Sequence, residues 1–207
     1  MNRTLIVNIP MAKKTEKLVY TSDNKSLIPS RHPFVYAVLS YLEPILQDGD
    51  TLKCILIAKT HEYSTHEENI QEFKNEMNEI NRYSIPVEYV VIYSEFEETV
   101  NVHESLMREI INNVEDGATV LADITYGSKD LPLIEFAALT FASDFLDCHI
   151  ERIIYGQGFF INNELQNKKL CDMMDLFTMC GLVSSFKNVS PSKARELLDM
   201  IINFSNN

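Results

Sequence analysis

The chain has 207 residues, of which 45% are hydrophobic and 23% are charged, and this apolar content is enough for a packed core and excludes global disorder. The net charge of −12 argues against a basic coat for long nucleic acids. No apolar run approaches the roughly 20 residues of a membrane helix. The N-terminus lacks a signal-peptide pattern, so we expect a cytoplasmic protein with four reduced, buried cysteines: Cys54, Cys148, Cys171 and Cys180.

Five apolar runs rich in β-branched residues predict strands along the chain. The two runs at 52–58 and 118–124 are almost continuously hydrophobic, which is typical of strands covered on both faces. The five predicted strands are Thr4–Ile9, Leu52–Ala58, Val87–Tyr93, Ala118–Ile124 and Arg152–Tyr155.

Helical spacing of apolar residues separates these strands. The predicted helices are 33–46, 66–83, 100–114 and 131–146, and the last is apolar almost all round, so we expect it to be deeply buried. Strands that alternate with helices indicate a parallel sheet with helices on both faces. We therefore predict an α/β, Rossmann-like domain over residues 1–165 and a C-terminal extension over 166–207 with helices at about 172–187 and 192–204.

The segment 10–31 is long for a loop between a strand and a helix. Two short extended stretches flank Asp23-Asn24, which favours a small β-hairpin there. The charge is also uneven, because residues 60–124 carry a net charge of −12 whereas residues 1–59 carry +3. The acidic segment reads most simply as the solvated face of two helices, and it leaves the N-terminal third able to face an anion.

Open parallel sheets bind ligands beyond the carboxyl ends of their strands. Lysines, hydroxyl-bearing residues and glycines follow several of the predicted strands, and Lys14 is a further lysine after the first strand. We therefore expect ligand contacts from Pro10, Met11, Ala12, Lys13, Lys59, Thr60, Thr125, Tyr126, Gly127, Ser128, Lys129, Gly156 and Gln157.

The most informative of these segments is 123–132, DITYGSKDLP. Gly127 permits a sharp turn that brings backbone N–H groups close to a ligand, Ser128 offers a hydroxyl and Lys129 offers a cation. The next helix begins near Leu131-Pro132, and its N-terminus favours a phosphate. The simpler alternative is a strand-to-helix turn with a surface lysine, in which Asp123 hydrogen-bonds the loop.

Several other kinds of site do not fit the sequence. The upstream glycine of a P-loop is absent, no G-x-G-x-x-G follows the first strand and no G-x-S-x-G occurs. His61 and His66 are five positions apart, which does not place them on one helix face. We therefore expect no metal and no cofactor, and we interpret the lone histidines His32, His103 and His149 as structural or exposed.

The segment DITYGSKDLPLIEFAALTFA resembles the CRISPR-associated Rossmann-fold (CARF) family, and in particular its Csx-type branch with the pattern D-I-T-H-G-(F/S)-(R/K)-x-L-P. Lys129 stands at the Arg or Lys position, whereas Tyr126 replaces the family histidine. The order of the N-terminal elements and the tail LCDMMDLFTMCGLVSSFKN are also similar, so the resemblance covers most of the chain.

This resemblance implies a homodimer that binds a cyclic oligoadenylate, a second messenger of type III CRISPR defence, at its two-fold interface. Many relatives carry a C-terminal HEPN ribonuclease domain with an R-x₄₋₆-H motif, but no histidine follows residue 160 here. We therefore expect a stand-alone domain that binds cyclic tetra- or hexa-adenylate and engages neither a membrane nor a long nucleic acid.

Two functions remain open for such a domain. The first is a ring nuclease that cleaves its ligand without metal through attack by a ribose 2′-hydroxyl, with Lys129 and Ser128 stabilising the charged phosphorane. The second is a non-catalytic sensor that signals to a partner through the C-terminal helices. The sequence does not decide between them, nor does it give the ring size.

Overall fold

The computed structural model describes residues 1–11, 15–61, 65–161 and 164–205. It divides the chain into two compact units, Met1–Asp172 and Met173–Asn207. The larger unit contains the whole sheet, and the smaller one contains the C-terminal helices.

The larger unit is an α/β, Rossmann-like domain, as the alternation of strands and helices predicts. Its six strands lie in the order β3-β2-β1-β4-β5-β6. The first five run parallel, and β6 is antiparallel to β5. The strands are β1 Asn2–Asn8, β2 Thr51–Thr60, β3 Val87–Glu95, β4 Thr119–Asp123, β5 His149–Ile161 and β6 Glu164–Asp172.

Four helices connect the parallel strands, namely α1 Ala37–Ile45, α2 His66–Ile80, α3 Val100–Asn113 and α4 Leu131–Phe145. The chain moves outward from β1 to β3 and then returns to β4 and β5, so right-handed crossovers place two helices on each face. Consistent with this arrangement, α1 contacts α2 and α3 contacts α4. The central strands β1, β2 and β4 are buried on both sides, which accounts for their continuous hydrophobicity.

The structure corrects three predictions about extended segments. The predicted short fifth strand is a long strand, and the residues from 166, expected to begin the helical extension, continue β6 up to Asp172. The segment near Asp23-Asn24 does not pair with itself as a hairpin. Instead, Leu18 bridges to Phe34, and Thr21 bridges to Lys169 of β6.

Burial also differs from expectation at α4 and at the cysteines. Leu133 and Phe145 of α4 are 75% and 71% exposed, so this apolar helix is not buried all round. All four cysteines are free thiols, but only Cys54 and Cys148 are buried, while Cys180 is exposed. Hydrophobicity alone therefore predicts more buried residues than the structure has in α4 and among the cysteines.

The smaller unit contains α5 Met174–Ser184 and α6 Pro191–Ser205, close to the two predicted helices. The Ser190 hydroxyl accepts a hydrogen bond from the Lys193 N–H at 3.4 Å, which caps the start of α6. No residue of α5 is buried, although the helix is rich in apolar side chains. None of the described helices is both long and apolar enough to cross a membrane.

Candidate functional site

The residues predicted to bind a ligand follow strands that are neighbours in the sheet. Strands β2, β1, β4 and β5 are adjacent and parallel, so their carboxyl ends meet at one edge, which we call the carboxyl edge. From β1 the chain proceeds to β2 on one side, and it later returns to β4 on the other side. The crevice between β1 and β4 is therefore the topological switch point, the usual ligand position in an open α/β sheet.

The loop between β4 and α4, here called the Gly127 loop (residues 124–130), covers this crevice. Gly127 has φ +100°, and a Cβ at this position would lie 2.4 Å from Leu131 Cδ1 and 3.6 Å from Asn8 Cβ. The Leu131 N–H donates to the Ser128 carbonyl at 3.2 Å, which closes the turn into α4. The backbone angle therefore favours glycine here, and an added Cβ would also require the Leu131 side chain to move.

The outer part of the Gly127 loop offers unused hydrogen-bond donors. Among the described residues, nothing accepts a hydrogen bond from the N–H groups of Gly127, Ser128 or Lys129. The Lys129 side chain is exposed and makes no ion pair within the described ranges. Free N–H groups, a cation and the start of a long helix together suit an anionic oxygen.

Lys59 is not the ligand-facing cation that the sequence predicts. Its side chain is only 1% exposed, and its Nζ lies 3.1 Å from Asp130 Oδ2 and donates to the Glu95 carbonyl at 3.2 Å. The ion pair ties the end of β2 to the last residue of the Gly127 loop. Lys59 therefore supports the loop from below and does not project from it.

Asp130 also lies near an imidazole on a third element. His103, in the first turn of α3, places Nε2 3.4 Å from Asp130 Oδ2. Burial favours the protonated acid, but the hydroxyl of Ser128 and the ammonium of Lys59 outweigh this effect and hold the pKa of Asp130 below its ordinary value. The carboxylate is thus ionised, and it faces His103, Lys59 and Ser128.

Asp123 binds the loop, as the sequence predicts, and it also binds the start of α1. Its two carboxylate oxygens accept hydrogen bonds from the Thr125 N–H and the Val38 N–H, both at 2.9 Å. Burial nevertheless raises the pKa of Asp123. An internal carboxylate therefore occupies the N-terminus of α1, whereas Asp130 makes no side-chain cap at the N-terminus of α4.

Thr125 and Tyr126 are committed to internal hydrogen bonds. The Thr125 hydroxyl accepts from the Gly156 N–H at 2.8 Å, and the Tyr126 hydroxyl donates to the Val35 carbonyl at 3.1 Å. Burial raises the pKa of the Tyr126 phenol. Both side chains therefore hold the inner half of the loop (residues 124–126) in place. The groups that can face a ligand are those of the outer half, residues 127–129.

The other predicted contacts lie along the same edge with mixed exposure. Pro10 is buried, with its carbonyl accepting from Asn69 Nδ2 at 2.7 Å, and Met11 is half-buried. The Thr60 hydroxyl donates to the Ser94 carbonyl at 3.2 Å. Gly156 packs against Ala37 and Thr125, and Gln157 lies beside Cys171. The predicted contacts Ala12 and Lys13, together with Lys14, lie outside the described residues.

His103 is not among the site residues that the sequence predicts. This histidine is isolated in a helical segment, and only the fold brings it next to Asp130. The sequence feature that could have identified it is its position in the first turn of a helix that follows a strand, because this position places the side chain at the carboxyl edge.

Two acids, one at the end of the loop and one beneath it, add no free charge to the surface of the loop. Glu135 of α4 is fully buried, and burial followed by the nearby Asp123 raises the pKa of Glu135 well above its ordinary value. Asp130 is neutralised by Lys59. The acidity of the chain as a whole therefore does not extend to this part of the carboxyl edge.

Comparison of the chain with known proteins gives no matching family model and no matching curated protein.

Proposed function

We propose that the protein binds a cyclic oligoadenylate at the Gly127 loop, as the resemblance to the CARF family implies, and acts in type III CRISPR defence in the cytoplasm. The observation that carries this proposal is the set of groups left free at the switch point. Three N–H groups and the Lys129 ammonium stand at the start of α4, where a phosphate is favoured. A cyclic oligoadenylate presents a closed row of such phosphates.

A small ring suits this site better than a long nucleic acid. The chain has a net charge of −12, which repels an extended polyanion along most of the surface. In contrast, the acids beneath the Gly127 loop are paired or have raised pKa values. The favourable region is local, and it matches a compact ligand.

We propose that a second copy of the chain completes the binding site. Leu133 and Phe145 are exposed apolar residues on α4, and α4 begins at the Gly127 loop. A two-fold contact along this helix would remove both side chains from water and set two loops against one ring. Each Lys129 would then have a symmetric partner, which doubles the positive charge available to the phosphates.

The proposed reaction is cleavage of the ring without metal. The 2′-oxygen of one ribose attacks the adjacent phosphorus, and the bond from phosphorus to the 5′-oxygen breaks, leaving a 2′,3′-cyclic phosphate and a 5′-hydroxyl. Lys129 and the loop N–H groups stabilise the charge of the phosphorane. Ser128 contributes its backbone N–H and positions the loop, because its hydroxyl faces Asp130.

The alternative proposal is a sensor that binds the ring without cleaving it. It is favoured by α5, which buries none of its side chains although Leu176, Leu182 and Val183 are apolar. An apolar helix left exposed in this way is suited to contact with a partner protein. The signal would then pass through the C-terminal unit to that partner.

The test is incubation of the purified full chain with labelled cyclic tetra-adenylate and cyclic hexa-adenylate in the presence of a chelator. We expect one ring to bind and to be cleaved to linear products with a cyclic phosphate end. Lys129→Ala should weaken binding about tenfold, through loss of one charge-assisted contact. Lys187→Ala removes an exposed lysine of the C-terminal unit and is the matched control.

The outcomes separate the two functions. Binding with no turnover supports the sensor and overturns the ring nuclease. Cleavage that is unchanged in Lys129→Ala overturns the assignment of the site to the Gly127 loop. Failure to bind either ring overturns both functions.

A further inference from the structure

A histidine, an aspartate and a lysine converge beside the Gly127 loop. Lys59 Nζ lies 3.1 Å and His103 Nε2 lies 3.4 Å from the same oxygen, Asp130 Oδ2. The three residues come from β2, from α3 and from the position that precedes α4. Asp130 follows Lys129 directly in the chain, so the imidazole lies close to the residue next to the ligand-facing cation.

The three side chains differ in burial, and Lys59 is the most buried while His103 is the most exposed. Lys59 is 1% exposed and Asp130 is 8% exposed, whereas the His103 side chain is 34% exposed. The Nε2 atom of His103 is itself buried. The exposed part of the ring therefore belongs to its other atoms, and Nδ1 is the ring nitrogen that Asp130 does not face.

The Asp130 carboxylate favours one tautomer of this imidazole. Lys59 and Ser128 keep the Asp130 carboxylate ionised, and an ionised carboxylate beside Nε2 favours the tautomer with its hydrogen on that atom. Nδ1 then carries the lone pair. Asp130 faces His103 directly, and Lys59 faces the same carboxylate from β2.

We propose that His103 is the general base that removes the proton from the attacking 2′-hydroxyl, with Asp130 as its positioning residue. This inference rests on the proposed ring nuclease. In the step, the 2′-hydroxyl proton passes to His103 Nδ1 while the 2′-oxygen forms its bond to phosphorus. The bond from phosphorus to the 5′-oxygen breaks, and that oxygen takes a proton from the Lys129 ammonium or from water.

The test measures binding and single-turnover cleavage separately in the full-length His103→Gln variant. Loss of a general base lowers the rate by about 100-fold, and we expect the affinity for the ring to stay within a factor of about two. The matched control is His149→Gln, because His149 is exposed at the first residue of β5, at the opposite edge of the sheet. Thermal unfolding checks that both variants are folded.

A further measurement excludes a purely structural role. Imidazole added to His103→Ala should restore part of the cleavage rate but leave the rate of His149→Gln unchanged. A structural histidine would not give this result.

Each outcome decides one of the two proposals. Wild-type protein that binds and cleaves the ring, together with a His103→Gln variant that cleaves it equally fast, overturns the general base and leaves the ring nuclease intact. Wild-type protein that binds but does not cleave overturns the general base and leaves the sensor. Wild-type protein that binds no ring overturns the proposed function itself.

Discussion

The two edges of the sheet are built from similar parts but leave different groups free. At the amino edge, Gly117 has φ +72° and its N–H donates to the Leu146 carbonyl at 2.8 Å. At the carboxyl edge, Gly127 has φ +100°, and nothing in the described chain accepts its N–H. One glycine turn is internally satisfied, whereas the other has a donor to offer.

The buried ion pairs of the two edges differ in the same way. At the amino edge, Asp50 binds the Arg3 guanidinium and accepts the Gln47 N–H at 3.0 Å. At the carboxyl edge, Asp130 binds Lys59 and faces His103, whose ring reaches solvent. Because a buried pair costs desolvation and adds little net stability, the second pair is better explained by what it holds in place.

The largest effect on stability is expected at the amino edge. Asp50→Ala leaves the buried Arg3 guanidinium with Glu151, 3.7 Å away, as its one acidic neighbour among the described residues, and should lower the free energy of unfolding by about 3 kcal/mol. Ring binding by the folded fraction should not change. Urea unfolding and equilibrium binding test this prediction. A loss of ring binding without a loss of stability would contradict the assignment of ring binding to the carboxyl edge.

The two glycine turns give the next largest effect. Gly127→Ala introduces a Cβ that meets Leu131, in addition to the strained backbone angle, and should cost about 2 kcal/mol as well as weaken ring binding. Gly117→Ala has open space around its Cβ and should cost only about 1 kcal/mol. Equal losses of stability and binding in both variants would remove the distinction between the turns.

A smaller effect is expected from the inner half of the Gly127 loop. Thr125→Val keeps the shape of the side chain but removes the acceptor of the Gly156 N–H, which should cost about 1 kcal/mol. The control is Thr119→Val, at the amino end of β4. If ring binding fell in Thr125→Val without loss of stability, Thr125 would contact the ligand directly.

The smallest effect concerns acid pH at the amino edge. Although burial acts in the opposite direction, hydrogen bonds and the Arg3 charge hold the pKa of Asp50 below its ordinary value. A group with a lowered pKa stabilises the fold above its unfolded-state pKa, and that contribution disappears as the pH falls through the folded-state pKa. Wild-type protein should therefore lose more stability between pH 5 and 2 (about the range where carboxylates titrate) than Asp50→Asn, as measured by urea unfolding.

Much of the fold could be predicted from the sequence because the parallel strands and their helices carry strong periodic patterns. The strand β6 was missed because ELQNKKLCD is polar, and only pairing with β5 makes it a strand. The exposure of Leu133 and Phe145 was missed because hydrophobicity alone does not give the side of a helix that faces the sheet.

The edge that holds the candidate site was predictable, but the roles within it were not. Parallel strands bring their carboxyl ends together, so the Gly127 loop and the ends of β1 and β2 had to meet. Whether Lys59 faces a ligand depends on Asp130, and the importance of His103 depends on the same carboxylate. Such pairings join distant parts of the chain, and no local pattern encodes them.

The most direct test of the account is a titration of ¹⁵N-labelled protein with the cyclic oligoadenylate, followed through the amide resonances of both glycine turns. We predict saturable shifts at Gly127, Ser128 and Lys129, because their N–H groups gain phosphate acceptors, and no shift at Gly117, whose N–H is already bonded. Unchanged Gly127-loop resonances at saturating ligand, or equal shifts at both turns, would contradict the assignment of ring binding to the carboxyl edge.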